Sequence, residues 1–477
     1  MDYDIIVAGG GVAGSLAAAS AAKNGAKVVL LDRNPEQEVG KKTNWGWVCG
    51  DAVAEDHIRF VEKELGVSFG KPELDLKVGG VYVVSPSMKK KVMFEGAGYS
   101  LNRPAFARKL LSIAKKENVD YMPKTEVEGP IIEGEKVVGV YGKDESGKGF
   151  ELKAKVVIDA LGMASTLRRK LPKNDFIERE VDIHDIESTG RYIMEFEQIE
   201  ENDYFYDPHN AIIHLNQLMA PGGYGWVFPK EGKRVNIGIG IEKKSIEIRN
   251  EKLGKKDTLH SLIDQYVEWN KAIKKKEIAK EDNNGKGYWS VSVRRQQESL
   301  VYNGYMGAGD SMSMPNPISA GGIGPAMTAG VLAGKVAAKA VQNNNTSIEG
   351  LWEYNLIYNE KYGKKTAALE AFRVYLQSLN NDLIDYGMEH FVTEEEAIQM
   401  SYGVTPEISF SSALKKAISG LANINAFKNL VYVVGKMREL NALYQAYPKN
   451  PREFGEWKGK VKSIIKEVKE RFKPNPV

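Results

Sequence analysis

The opening segment carries the clearest hydrophobic pattern in the chain. Asp4-Ile5-Ile6-Val7-Ala8 is a short apolar run of strand length. A glycine turn from Gly9 to Gly14 follows, then an alanine-rich stretch from Ser15 to Asn24 that Gly25 closes. Lys27 to Asp32 supplies a second apolar run, Val28-Val29-Leu30-Leu31, without polar alternation. That pattern predicts a parallel strand covered on both faces, so Met1 to Arg33 reads as one βαβ unit. Val137 to Tyr141 and Phe150 to Lys153 flank the polar, glycine-containing stretch Lys143 to Gly149 and predict a hairpin. Val156 to Ala160 predicts another buried strand. From about Tyr192 to Ile241 the alternation is that of antiparallel strands. Asn303 to Ala340 reads as strand, glycine-rich turn and a long helix of small residues. After Ser347 the spacing changes. Leu369, Phe372, Leu376, Leu379 and Leu383 recur at helical intervals, as do Phe427, Leu430, Val431 and Val434. These predict an added helical domain with amphipathic faces. Lys458 to Lys473 reads as a basic helix, either solvated or weakly drawn to anionic lipid.

Composition narrows the function classes. The 477 residues suggest roughly three domains. Lys and Arg number 66 against 63 Asp and Glu, a net charge of +3. Such near-balance argues against a protein built to neutralise nucleic-acid phosphates. The one cysteine, Cys49, forms no internal disulfide, and the six histidines lack metal-ligand spacing, so no metal site is expected. No run approaches the ~18 apolar residues of a membrane span, and strand-like sequence begins at once. A cytoplasmic, reduced protein is expected.

Gly9, Gly11 and Gly14 form GxGxxG directly between strand and helix. The first glycine permits the tight turn and the second lets backbone approach a pyrophosphate. The third lets the helix pack closely, with phosphate at the helix's positive end. Asp32 closes the second strand, where a carboxylate holds ribose hydroxyls. Ala13 within the turn and Arg33 after the acid complete this candidate cradle. The motif alone does not separate FAD from NAD.

Three further segments bear on that choice. Val156 to Arg168, containing Asp159-Ala160-Leu161-Gly162, resembles the DG motif of the para-hydroxybenzoate-hydroxylase-like flavoproteins. Gly304 to Asp310 resembles their GD motif, and Leu101-Asn102-Arg103 the segment that sets an arginine beside the cofactor. The resemblance implies FAD. It places Asp159 and Gly162 in the DG turn, Asp310 on the ribityl chain and Arg103 beside the cofactor. Val127 would read the adenine through its backbone, and Cys49, Gly50 and Ala52 would lie near the isoalloxazine. Gly321, Gly322 and Ile323 would face the flavin's pyrimidine edge, where a helix terminus favours the reduced, anionic form. Taken alone, Asp310 also suits a helix N-cap.

Pro221 to Pro229 followed by Gly238-Ile239-Gly240 is the most distinctive segment. Tyr224, Trp226 and Phe228 alternate, so a strand points all three to one face, and Pro229 is expected to end the pairing. Pattern alone fits a half-buried strand on ordinary core as well as a wall beside an apolar ligand. The segment matches the PxxYxWxFP…GxG signature of the geranylgeranyl reductase family. Cys49-Gly50-Asp51-Ala52-Val53, Leu351 to Asn355 and Phe372 to Gln377 also resemble stretches of archaeal members.

This resemblance implies an α/β fold. Its FAD-binding Rossmann-type domain is discontinuous (1–45, 100–175 and 295–345). An antiparallel β-sheet substrate domain takes 46–99 and 176–294, and a C-terminal helical domain 346–477. It implies an FAD enzyme that saturates C=C bonds of geranylgeranyl chains in archaeal ether-lipid precursors. Tyr224, Trp226 and Phe228 would bind the chain, and Cys49 or Tyr224 would be the proton donor. The electron donor is ferredoxin or NAD(P)H, and the lipid substrate implies peripheral contact with the inner face of the membrane. Two departures stand near the reacting centre: the long aromatic approach Lys41 to Val48, and Ile318 to Gly322 in place of a more glycine-rich turn. Rival readings are a flavin monooxygenase or halogenase, and a prenyl-lipid binding protein on an FAD fold.

Overall fold

In the computed structural model, residues 1–40, 48–199, 204–274, 276–279, 285–391, 393–401 and 424–477 are described. The Lys41 to Trp47 part of the approach to Cys49 lies outside them.

The apolar runs build a parallel sheet. Tyr3–Ala8 lies between Val28–Leu31 and the long strand Gly149–Asp159, with Ile5 opposite both Val28 and Val156. Tyr305–Gly307 adds on the far side and Asp120–Met122 beyond Val28–Leu31. The outer arm of the expected hairpin and the Val156 strand are one continuous element, antiparallel to Lys136–Lys143 at its start and parallel to Tyr3–Ala8 at its end. Helix Val12–Lys23 packs on helix Ile323–Gln342 at backbone contact distance. A Cβ at Gly330 would stand 2.3 Å from Ala13 O, and one at Gly334 2.3 Å from Ala17 O. That approach explains the small residues of both helices.

A second, mostly antiparallel sheet of nine strands stands beside the first. Ile186–Glu195 pairs with Arg234–Glu242 and Lys286–Ser292, and Arg234–Glu242 pairs in turn with Gly225–Lys230. Pro229 does not end that pairing, since Pro229 faces Val235 and Lys230 faces Arg234. The N–H that proline lacks would point toward strand Ala211–His214, whose ladder has already stopped at Val227, so no bond is lost.

Among the described residues, the C-terminal helices share the core of the parallel sheet. Leu351, Trp352, Leu430, Val461 and Val468 belong to the same buried cluster as Ile5, Val29 and Ile158. Trp352 packs against Phe176 and Phe454, and its Nε1 donates to Pro448 O at 2.9 Å. Of the expected amphipathic positions Leu369 and Val434 are buried, whereas Val431 is exposed. The basic terminal helix, Phe454–Arg471, buries Trp457, Val461 and Val468. Its lysines dock on carboxylates, Lys469 on Asp185 at 2.6 Å and Lys462 on Glu178 at 2.5 Å. No helix among the described residues is long and apolar enough to cross a membrane.

Candidate functional site

A single cavity of about 1070 Å³ runs from the glycine turn of the parallel sheet to the cavity-facing side of the second sheet. At the first end, Gly9 has φ +102°, a backbone state that glycine tolerates. A Cβ at Gly14 would stand 1.8 Å from Gly9 O, so helix and strand touch there. A Cβ at Gly11 would meet nothing within 4 Å. Gly14 seals the turn from behind, and Gly11 opens onto the cavity at the N-terminus of helix Val12–Lys23. Asp32 accepts from Gly10 N–H at 2.6 Å and Asn34 N–H at 2.7 Å, and it lines the cavity. This open cradle, with backbone donors at one side and a carboxylate at the other, fits a dinucleotide.

Ala13, Arg33, Arg103, Val127, Gly162, Asp310, Gly321, Gly322 and Ile323 all line the same cavity. Asp159 does not. It is fully buried and accepts from Ser165 Oγ, from Tyr305 Oη at 2.7 Å and from Leu161 N–H at 3.1 Å. Its carboxylate is consumed in shaping the turn that presents Gly162. Val127 O is occupied by Thr166 Oγ1 at 2.8 Å. Asp310 caps no helix: Ala308 precedes its 3₁₀ turn, and Gly322 starts helix Ile323–Gln342 without a side-chain cap. Burial raises its carboxyl to about 6 against the pull of Arg103. Ala320 holds φ +50°, a left-handed conformation in the turn where the expected pattern is richer in glycine.

At the other end Tyr224, Trp226 and Phe228 form a continuous wall, with ring centroids 6.1 and 6.3 Å apart. Tyr224 Oη donates to Ser319 O, tying the wall to the turn at the dinucleotide end. Gly238 lies beneath the indole, and Gly240 faces the cavity beside Glu187. A Cβ at Gly238 would stand 2.2 Å from Trp226 Cζ2, and one at Gly240 2.9 Å from Glu187 Oε2. The Cys49–Asp51 segment lies on this wall, since a Cβ at Gly50 would stand 2.7 Å from Phe228 Cε2. Asn236 fastens it, with Nδ2 donating to Cys49 O at 2.9 Å and Asp51 Oδ2 at 3.0 Å. Cys49 Sγ donates to Asp51 Oδ1 at 3.1 Å and accepts from Asp51 N–H at 3.2 Å. Burial pushes the thiol up to about 11, so it keeps its proton near neutrality. Cys49, Gly50 and Ala52 thus share one cavity with the aromatic wall and the dinucleotide cradle.

Residues 185–282 match the geranylgeranyl reductase catalytic domain and residues 4–169 match FAD dependent oxidoreductases. Digeranylgeranylglycerophospholipid reductase of Sulfolobus acidocaldarius is 32% identical over 98% of this chain and 98% of its own length. The chain belongs to the geranylgeranyl reductase family. Digeranylgeranylglycerophospholipid reductase 2 of Methanococcoides burtonii is 31% identical, covering 86% of this chain and 89% of its own. A solved geranylgeranyl bacteriochlorophyll reductase-like protein of Thermoplasma acidophilum superposes with a TM-score of 0.72. It is 25% identical and covers 90% of this chain and 99% of its own. A flavin-dependent brominase, 19% identical with a TM-score of 0.63 over 88% of this chain and 98% of its own, shares the fold. As a member of this reductase family the protein is an FAD-dependent oxidoreductase.

Four residues that line this cavity or lie against the Cys49–Asp51 segment carry no signal in one-dimensional pattern. Glu187 is a charged residue inside a strand, buried on the cavity face. Burial pushes its carboxyl to about 7, with Arg373 opposing and Glu242 assisting. Asn236 and Lys230 look like ordinary strand polar residues, and His57 like a surface helix residue. A period-two count over Ile186–Glu195 places Glu187 beside Thr189 on one face, which was the one available hint.

Proposed function

We propose that this reductase saturates C=C bonds in the geranylgeranyl chains of archaeal ether-lipid precursors. The observation that supports this most is the continuity of one cavity between the glycine cradle and the Tyr224–Trp226–Phe228 wall. When bound, FAD supplies the hydride from its N5 to one alkene carbon. An isolated trisubstituted alkene has no carbonyl to polarise it, so as its neighbour is protonated, cation-like charge develops on the carbon that takes the hydride. The faces of Trp226 and its two neighbours stabilise such charge by roughly 0.5–2 kcal/mol each.

Cys49 delivers the proton. It faces the cavity, is protonated near neutrality, and is held by Asp51 and Asn236. Tyr224 is placed less well, because its hydroxyl proton is committed to Ser319 O and burial raises its pKa. Tyr224, Trp226 and Phe228 hold the chain, while Gly9, Gly11, Asp32, Arg103, Asp310 and Gly322 hold FAD. Reduced ferredoxin or NAD(P)H recharges the flavin, and the enzyme works at a membrane surface, where its substrate resides. The test is anaerobic incubation of dithionite-reduced holoenzyme with geranylgeranyl glycerophospholipids, read by mass spectrometry. Stepwise gains of two hydrogens are expected. No gain in mass, with FAD bound and reduced, overturns the reading.

A further inference from the structure

The Gly225–Lys230 strand presents Tyr224, Trp226, Phe228 and then Lys230 toward the same side, so the aromatic wall ends in a buried ammonium. Lys230 Nζ stands 3.8 Å from Asp51 Oδ2 and 3.6 Å from Asp75 Oδ2, and donates to Leu101 O at 2.7 Å. All three ionisable side chains are at least nine-tenths buried. Asp75 Oδ1 in turn stands 3.6 Å from Arg234 Nη2, whose side chain is 31% exposed. Asp51 also faces Arg103 Nε at 3.5 Å and the Cys49 thiol at 3.1 Å. It sits at φ +61°, a left-handed conformation that a non-glycine residue keeps only where its surroundings enforce it. Burying two carboxylates and an ammonium in a row is weak evidence for stability, since desolvation offsets most of their attraction. Their alignment between a cavity thiol and the surface calls for a different account.

We propose that Asp51, Lys230 and Asp75 form a proton-supply chain that reprotonates Cys49 from the surface at Arg234 between successive saturations. The proposal rests on the reading of Cys49 as the proton donor. A geranylgeranyl chain carries several double bonds, and each saturation consumes one proton beside the Tyr224–Trp226–Phe228 wall, where Cys49 stands. In each cycle the Cys49 S–H rotates from Asp51 toward the substrate, the S–H bond breaks, and a C–H bond forms from the alkene π pair. The sulfur keeps its electron pair as thiolate, and the adjacent carbon takes the hydride. The thiolate then takes a proton through Asp51 from the Lys230 ammonium. Lys230 recovers one through Asp75 from water at the surface, so one solvent proton is used per bond reduced. The flexible four-carbon stem of Lys230 lets its ammonium move between the two carboxylates. The thiolate left behind is a strong enough base to draw that proton, because burial holds the thiol at about 11.

The test compares first and later turnovers in holoenzyme carrying Lys230→Met or the near-isosteric Asp75→Asn, each checked for FAD content and thermal stability. With enzyme reduced stoichiometrically, the first saturation draws on the proton already on Cys49, and both variants should match the parent in that phase. With reductant in excess, steady-state saturation should fall at least about tenfold and partially saturated products should accumulate. Steady-state rates equal to the parent's in both variants overturn the proposal. So does an equal loss in the first and later turnovers of a folded, FAD-replete Asp75→Asn, because that marks a purely structural role. Cys49→Ala separates the two ideas: unchanged first-turnover chemistry in that variant overturns the assignment of Cys49 itself, whatever Lys230 does.

Discussion

The indole Nε1 of Trp226 donates to Oδ1 of Asn236 over 2.9 Å, and through that bond the aromatic wall holds the cysteine segment in place. The same amide gives its two hydrogens to Cys49 O and Asp51 Oδ2. Asn236 is fully buried, so each of these partners would lose its bond in a dry place. Asn236→Leu should therefore cost about 2–3 kcal/mol in denaturant unfolding, the penalty of leaving buried donors and acceptors unmet. It should lower alkene reduction more than FAD content, since Asn236 touches the wall and the thiol segment but not the glycine turn. Flavin absorbance per protein and hydrogen gain by mass spectrometry, measured together, check this.

The two glycines of the dinucleotide turn should separate fold from cofactor. Gly14→Ala drives a Cβ to 1.8 Å from Gly9 O, which backbone cannot relieve. It should destabilise the protein with or without FAD. Gly11→Ala meets no protein atom within 4 Å, so the FAD-free protein should melt at the parent's temperature. Its methyl would occupy the space through which backbone approaches the pyrophosphate, and FAD should be lost on gentle purification. Melting curves of FAD-free and FAD-bound samples distinguish the two cases.

What the chain reveals of this site follows from how local each feature is. Gly9, Gly11, Gly14 and Asp32 form a self-contained strand–turn–helix–strand unit, so spacing alone exposes it. The Tyr224–Trp226–Phe228 alternation shows a shared face, but only tertiary pairing shows that Pro229 can continue the ladder. The groups that hold the Cys49–Asp51 segment come from strands far along the chain: Asn236 bonds Cys49 O, Trp226 bonds Asn236 and Lys230 faces Asp51, and no periodicity links them to position 49. Asp159 sits in a motif associated with the cofactor, yet its bonds to Ser165 and Tyr305 turn it inward. The C-terminal helices show amphipathic spacing, which is equally compatible with a separate core and with the shared one they join.

Glu187 should make stability depend on pH in a definite sense. Its folded pKa is raised from 4.5 to about 7, chiefly by burial. Arg373, Glu242 and Tyr224 are the ionisable groups coupled to it. A raised carboxyl is neutral in both states below pH 4.5 and ionises first in the unfolded chain, so stability is lost as pH rises toward 7. Glu187→Gln keeps the shape without the charge. It should match the parent near pH 4.5 and exceed it by on the order of 3 kcal/mol at pH 8. Unfolding midpoints of both proteins across that range check the sign. Equal curves would mean that the carboxylate is solvated or paired when it ionises.

The helix Lys364–Gln377 brings Lys365 and Thr366 to the cavity and is anchored from behind by Glu370. Glu370 Oε2 accepts from Arg295 Nη1 at 2.6 Å and from Arg295 N–H at 3.1 Å, and both side chains are buried. Arg295 also pairs with Glu298, which Arg294 shares at 3.3 Å. Removing one carboxylate strands half of a buried guanidinium's compensation, so Glu370→Ala should cost about 3–5 kcal/mol. The exposed pair Lys339–Glu353, at 2.6 Å, provides the control, and Glu353→Ala should cost ~1 kcal/mol or less. Arg295 holds the Glu370 carboxyl below its ordinary 4.5, so its contribution is present above that pH and lost as pH falls below it. The Glu370→Ala variant should accordingly show a shallower acid-unfolding slope than the parent, measured by circular dichroism between pH 6 and pH 3.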